Sequence, residues 1–419
     1  MKYALALLVP LACLAQPYTV LLRGGHVIDP KNGLDGPADV AIAGGKIARV
    51  APGIDPAQAR KVIDVTGLYV TPGIVDIHTH VFYTTGVHGA WAGDNSIPPD
   101  TFSFRTGVTT ICDAGSSGWR NFEDFRRTVI DRVQTRVLAF VNISGLGMML
   151  NHVEQTDFDP EAVARVARKN AGVVVGVKTA HYEKPDWGSV DAAIAAGKLA
   201  NLSIMVDFGF FLPERPFWQL VTERLRPGDI ATHVFRGPVP WFDGEGRVLD
   251  YLRRARERGV LFDTGHGGGS LVFRNAVPAT AQKFYPDAIS TDLHTGSMNA
   301  GMMDMPTTMS KFLAMGMPLA EVIRRSTWNP AQAIRHPELG HLTQGAAADV
   351  AAFRLASGDF GFADASGGRL TGKQRLMCEL TLKDGKVTWD WNARAAADYR
   401  ELPRDYGVRP VESVVMPPR

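Results

Sequence analysis

The stretch Val70-Thr71-Pro72-Gly73-Ile74-Val75-Asp76-Ile77-His78-Thr79-His80 decides how this chain is read. Its apolar, β-branched run from Leu68 to Ile77 predicts a buried strand that ends in histidines. Residues i and i+2 of a strand share a face, so His78 and His80 converge. Two imidazoles on one face make half of a metal site. A lone His-x-His is better explained by one satisfied core histidine and one surface histidine. The residues at the other strand ends separate these readings.

Seven further strands are legible: Val108–Cys112, Val137–Val141, Val173–Val177, Ser203–Val206, Asp229–Thr232, Val260–Phe262 and Ala288–Thr291. The eight runs finish near His80, Asp113, Asn142, Lys178, Asp207, His233, Asp263 and Asp292, about 30 residues apart, with amphipathic helical stretches such as Glu161–Lys169, Val190–Leu199 and Val248–Arg258 between them. Eight βα periods predict an α/β fold, a TIM-like (β/α)8 barrel spanning 71–339. An open doubly wound sheet shows the same alternation. The barrel is preferred because ligand-type residues end nearly every strand and so share one rim. Lys178 stands out there, because it closes the apolar run Gly172–Val177 and a buried ammonium is costly unless paired or neutralised.

The flanks differ. Thr19–Arg23, Asp39–Ala43 and Lys46–Val50 alternate around Gly24-Gly25 and Gly44-Gly45, and the style returns in Asp349–Phe353, Leu376–Lys383 and Lys386–Trp389 around Asp384-Gly385. This predicts hairpins, and a small composite β-sandwich built from 16–70 and 340–395. Residues 396–419 read as an extended or frayed C-terminal extension. Lys2 and the apolar run Tyr3–Ala15 read as a signal peptide cleaved near Ala15, too short to span a bilayer. The expectation is an exported, periplasmic protein with no membrane segment in its mature form. A lipoprotein attached through Cys13 is the weaker alternative, because Pro10 stands where such a signal wants a branched apolar residue.

Composition bounds the rest. The chain has 419 residues with Lys+Arg 45 against Asp+Glu 43, which argues against a nucleic-acid partner, and 45% hydrophobic residues, which argues against disorder. With 3 Cys there is no disulfide framework, and Cys112 and Cys378 read as small buried residues. Seven methionines between 298 and 317 suggest a copper box, but Met302, Met305, Met309 and Met315 fit a buried helical stripe better.

Taken together, these residues resemble the amidohydrolase superfamily, in its binuclear branch with dihydroorotase, hydantoinase and a deacetylase-like group. The resemblance covers nearly the whole chain. It rests on Val70–Asp76 leading into His78 and His80, on Ser290-Thr291-Asp292, on Thr327-x-Asn329-Pro330-Ala331, and on Gly345-x-x-Ala348-Asp349-Val350. Asp113-Ala114-Gly115-Ser116, Gly228–Phe235, Gly265-His266-Gly267 and Met309-Ser310-Lys311-Phe312 bring it nearest to the deacetylase-like group.

The resemblance implies two divalent ions, zinc or alternatively manganese. His78, His80, Lys178 and Asp292 would hold one, and Lys178, as a carbon dioxide-derived carbamate, with His233 the other. It further implies hydrolysis of an amide or ester bond by metal-bound hydroxide, with Asp292 as proton acceptor. The family usually supplies a histidine at the end of strand five, where this chain has Asp207. An Asp207 ligand would neutralise the centre and make the second ion a weaker Lewis acid. His266, with Gly267 on its glycine-rich loop, is expected to orient the substrate, and His181, Asn142 and Ser116 to contact it.

The partner implied is a small molecule, an N-acyl amino acid or acylated hydroxy acid, and a homo-oligomer is compatible with it. A cyclic amide is the nearest alternative, although Asp292 is followed by Leu293-His294 instead of the dihydroorotase His-Ala-Pro-His run. A non-catalytic exported binding protein on the same fold is the alternative from another class.

Overall fold

The computed structural model describes residues 16–88, 93–149 and 156–409. The expected signal peptide, 1–15, lies outside the described residues, as does the end of the C-terminal extension.

Both chain ends contribute to one mixed sheet. Its strands are β1 (Val20–Asp29), β2 (Leu34–Ala43), β3 (Lys46–Ala51), β4 (Val62–Asp64) and β5 (Tyr69–Pro72) from the N-terminal side. The parallel sheet follows, with β6 (Ile74–Thr79), β7 (Val108–Gly118), β8 (Arg136–Asn142), β9 (Val174–Ala180), β10 (Ser203–Asp207), β11 (Ile230–Ala231) and β12 (Leu261–Phe262). The chain then returns to the mixed sheet as β13 (Val350–Ala363), β14 (Arg369–Lys383) and β15 (Lys386–Asp390). The mixed sheet has eight strands in the order β15-β14-β13-β5-β1-β2-β3, with β4 on β1, and the parallel sheet has seven in the order β12-β11-β10-β9-β8-β7-β6.

The predicted strand Leu68–Ile77 is two strands in two sheets. Pro72 has no N–H to donate, and Gly73 N–H turns to Asp349 O at 2.8 Å. A Cβ on Gly73 would lie 2.2 Å from Thr109 Oγ1, so the chain can cross between sheets only at a glycine. Gly24-Gly25 is likewise not a hairpin turn. It is a bulge inside β1, where the register to β2 shifts between Leu22 and Gly25, and the Gly25 backbone lies too close to Val70 for any side chain.

The two faces of the parallel sheet carry different clusters. Cys112, Ala114, Leu138, Phe140, Met205 and Ile230 pack together on one, while the alternating residues Ile111, Val137, Ala139, Val141, Ile204 and Val206 pack against helix residues including Val163, Ala167, Val190 and Leu252. Asp207 follows Met205 by two residues and so shares the first face. The helices Pro160–Lys169, Gly188–Ala200 and Asp250–Glu257 fall where the periodicity puts them.

The last predicted strand, Ala288–Thr291, does not form a ladder. It makes isolated parallel bridges, Ala288 to Asp263 and Leu293 to Thr79, so this segment touches both edge strands of the curled sheet. The methionine stripe is core: Met302, Met305, Met309 and Met315 are all buried. Among the described residues no helix is long and apolar enough to cross a membrane.

The sheets are tied by Asp349, whose Oδ2 accepts from Arg136 Nη1 at 2.5 Å and whose Oδ1 accepts from Asp384 N–H at 2.9 Å. Asp349→Ala strands Arg136 and a backbone donor. It should lower unfolding free energy by about 2–3 kcal/mol in urea titrations, the lower part of the range for a buried pair because Arg136 is partly solvated.

Candidate metal centre

At the carboxyl ends of the strands, His78, His80, Lys178, Asp207, His233 and Asp292 come together as the sequence predicts. All are buried except Asp292, whose side chain is 13% exposed. One atom each of His78, His233 and Asp292 lies within 4.8 Å of the others. His233 and Asp292 sit in left-handed backbone, at φ 58° and 51°, which turns their side chains inward at the strand ends.

Hydrogen bonds fix the histidine tautomers. Thr232 Oγ1 donates to Asp263 Oδ2 at 2.7 Å and therefore accepts from His78 Nδ1 at 2.9 Å. His80 Nδ1 is 2.9 Å from Ser116 Oγ, and the Ser116 backbone N–H donates to Asp113 Oδ1 at 2.7 Å. His233 Nδ1 donates to Gly265 O at 2.6 Å. In His78 and His233 Nδ1 is thus committed as donor, and all three rings turn Nε2 into the cluster.

Those nitrogens face carboxylate oxygens. His80 Nε2 is 3.1 Å from Asp292 Oδ1, His78 Nε2 is 3.6 Å from the same oxygen, and His233 Nε2 is 3.2 Å from Asp207 Oδ2. Where Nε2 is the acceptor nitrogen, as in His78 and His233, a cation, either a proton or a metal, sits between it and the carboxylate. The donor set of imidazole nitrogens and carboxylate oxygens therefore fits divalent ions.

The electrostatics agree. Burial, aided by the Lys178 charge, pushes His78 down to about 3, so at neutral pH its Nε2 is an open lone pair that accepts from Lys178 Nζ at 3.1 Å. Lys178 is itself lowered by burial, against the pull of Asp207 and Asp292. Burial raises the Asp292 carboxyl, but His78 and His80 outweigh it and hold the group far below the usual carboxylate range. Asp207 shows the same balance, with His181 and His233 prevailing over burial. For His233 burial works downward, and Asp207 reverses the direction.

The glycines of the sequence motifs make room for this cluster. A Cβ on Gly115 would lie 2.7 Å from the Lys178 stem, and one on Gly267 2.3 Å from Asp292 Oδ2.

Four expected substrate contacts do not reach the cavity. His266 is fully buried, its Nε2 2.6 Å from Lys311 Nζ and its Nδ1 donating to Gly267 O at 2.8 Å, so neither nitrogen is left to orient a substrate. Gly267 spends its N–H on Thr291 O. Ser116 orients His80, and Asn142 is absorbed between Gly115 O and Ser144 N–H. His181 does line the opening, a cavity of about 210 Å³ bounded also by His80, Thr84, Asn95, Met148, Asp207, Asp292 and His294.

Sequence reading missed Asp263 and Thr232, which orient His78. Asp263 was visible as a strand end, but nothing local says that it faces His78. Also missed was His294, whose Nδ1 accepts from the Gly296 and Ser297 amides, and Lys311, distant in sequence from His266.

A family model described as the amidohydrolase family matches residues 272–387. A deacetylase from Agrobacterium fabrum is 35% identical over 341 residues, 78% of this chain and 81% of the relative. The chain belongs to the amidohydrolase family. The structure is similar to a solved adenine deaminase, with TM-score 0.79 and 26% identity over 89% of this chain and 100% of the other. A solved dihydroorotase gives TM-score 0.74 and 30% identity over 88% and 98%. The chain is therefore a hydrolase of this family, and the reading as a non-catalytic binding protein falls away.

Two predictions follow from the geometry around the buried histidines. Asp263→Asn should release His78 and weaken metal binding about 10–100-fold with little loss of fold, measured by competition with a chelator. His266 is pushed by burial down to about 3, so it is neutral when folded and protonates near 6.5 when unfolded. The unfolded state then binds more protons between those values, and stability falls as pH drops below about 6.5. His266→Gln should make urea-derived stability less steep between about pH 4 and 6, by up to about 1.4 kcal/mol per pH unit.

Proposed function

We propose that this hydrolase cleaves the amide or ester bond of a small acylated substrate, an N-acyl amino acid or acylated hydroxy acid, at a centre of two divalent ions. The observation that carries the reading is Lys178, a fully buried amine whose Nζ sits 3.1 Å from the ligand nitrogen of His78. Burial already favours its neutral form, which is the form that adds carbon dioxide. The resulting carbamate would turn a costly cation into an oxygen donor with two faces.

His78, His80, Lys178 and Asp292 would hold one ion, and Lys178, Asp207 and His233 the other. Zinc suits the nitrogen donors, and manganese the added carboxylate. Such ions, when bound, lower the pKa of a water and polarise a carbonyl. The protein's own part is positional. Asp292, its Oδ1 against His80, is placed to accept the proton of an attacking water and pass it to the leaving group. The 210 Å³ opening suits a small substrate.

The deacetylase name of the Agrobacterium relative supports the acyl reading. The solved dihydroorotase favours a cyclic amide as the second reading, and Leu293-His294 after Asp292 argues against it. We read the Ala288–Leu293 bridges to both edge strands as closure of an eight-stranded barrel, the mixed sheet as the composite β-sandwich, and residues 1–15 as an export signal.

Metal-loaded protein should release acetate from N-acetyl amino acids or O-acetyl hydroxy acids, stop in chelator, and leave dihydroorotate and hydantoins intact. Lys178→Met should lose at least about 10³-fold in kcat/KM. Turnover of the cyclic amides alone would replace the acyl reading.

A further inference from the structure

The second ion, as read above, lacks an imidazole: the end of β10 carries Asp207, leaving His233 as its sole histidine. The surroundings of Asp207 hold another. His181 Nε2 lies 2.8 Å from Asp207 Oδ2, the same oxygen that faces His233 Nε2 at 3.2 Å. Two rings from different strand ends thus meet one carboxylate oxygen at the wall of the cavity.

Local backbone is arranged for this. His181 follows β9 directly, and its φ of 53° puts a non-glycine residue in left-handed backbone. The turn brings the ring toward the end of β10, where Ala180 pairs with Asp207. Across from it Gly209, itself at φ 60°, packs so closely that a Cβ would lie 2.6 Å from His181 Cα. Asp207 Oδ1 accepts from Gly209 N–H at 3.0 Å, leaving Oδ2 for the two rings.

We propose that His181 is a protein ligand of the second ion, with Asp207 and His233, so that the imidazole comes from the end of β9 and the carboxylate from the end of β10. This rests on the two-ion reading and deepens it. It replaces the expectation that His181 contacts the substrate. The two imidazoles and one carboxylate oxygen then match a zinc donor set.

The test is titration of metal-stripped full-length protein with Zn²⁺ and with Co²⁺, read by bound metal per chain and by the visible absorption of Co²⁺. His181→Asn is the variant of choice, because asparagine tolerates left-handed backbone but is too short to reach the ion. The wild type should bind about two ions. His181→Asn should retain the first and bind the second at least about tenfold more weakly, with a changed cobalt spectrum. Adding Asp207→His to His181→Asn, which puts an imidazole back at the end of β10, should restore the second ion. A His181→Asn protein that binds both ions with wild-type affinity and spectrum would overturn the assignment. A wild type that binds a single ion would instead overturn the two-ion reading, an outcome distinguishable before any variant is made.

Discussion

The structure depends on accommodating one buried amine. Lys178 ends an apolar strand, and taking an ammonium out of water costs several kcal/mol unless charge or chemistry compensates. Its neighbours are arranged around that cost. Gly115 clears space for the stem, His78 offers a lone pair, and Asp207 and Asp292 lie near enough to resist the loss of charge. A protein with no use for the amine would do better with leucine. The six side chains partner one another, and their imidazole nitrogens and carboxylate oxygens form a donor set that divalent ions would fit.

Around this centre, a further layer holds the rings. Asp263 and Thr232 set His78, Ser116 and Asp113 set His80, and the Gly265 carbonyl sets His233. In His78 and His233 this leaves Nε2 as an acceptor. The His266–Lys311 pair lies one step further out. The loop it anchors presents Gly265 to His233 and Gly267 to Asp292, so the pair acts on the site through backbone and without contact of its own. That arrangement explains why a histidine in a glycine-rich loop near the carboxyl ends of the strands need not line the cavity.

Much of this was legible in the sequence, because strand ends repeat about every 30 residues and residues of one type collect at them. The convergence of His78 and His80 was readable from period two, their joint role only with the residues at the other strand ends, and Lys178 stood out from its apolar run. What escaped depended on contacts across the fold. The break at Gly73 follows from Thr109 and Asp349, and the bulge at Gly24-Gly25 from Val70, none of them local. His266 was misread because Lys311 is distant in the chain, and the contact between Asp207 and His181 went unseen because a positive φ at a histidine leaves no mark in sequence.

Diffraction at the zinc absorption edge from crystals of the metal-loaded protein tests the central claim most directly. The account predicts anomalous peaks for two ions, one among His78, His80 and Asp292, the other beside His233 and Asp207, joined by density extending beyond Lys178 Nζ. A metal-loaded crystal with no anomalous peak in this cluster, and with Lys178 still an unmodified amine against His78, would contradict it.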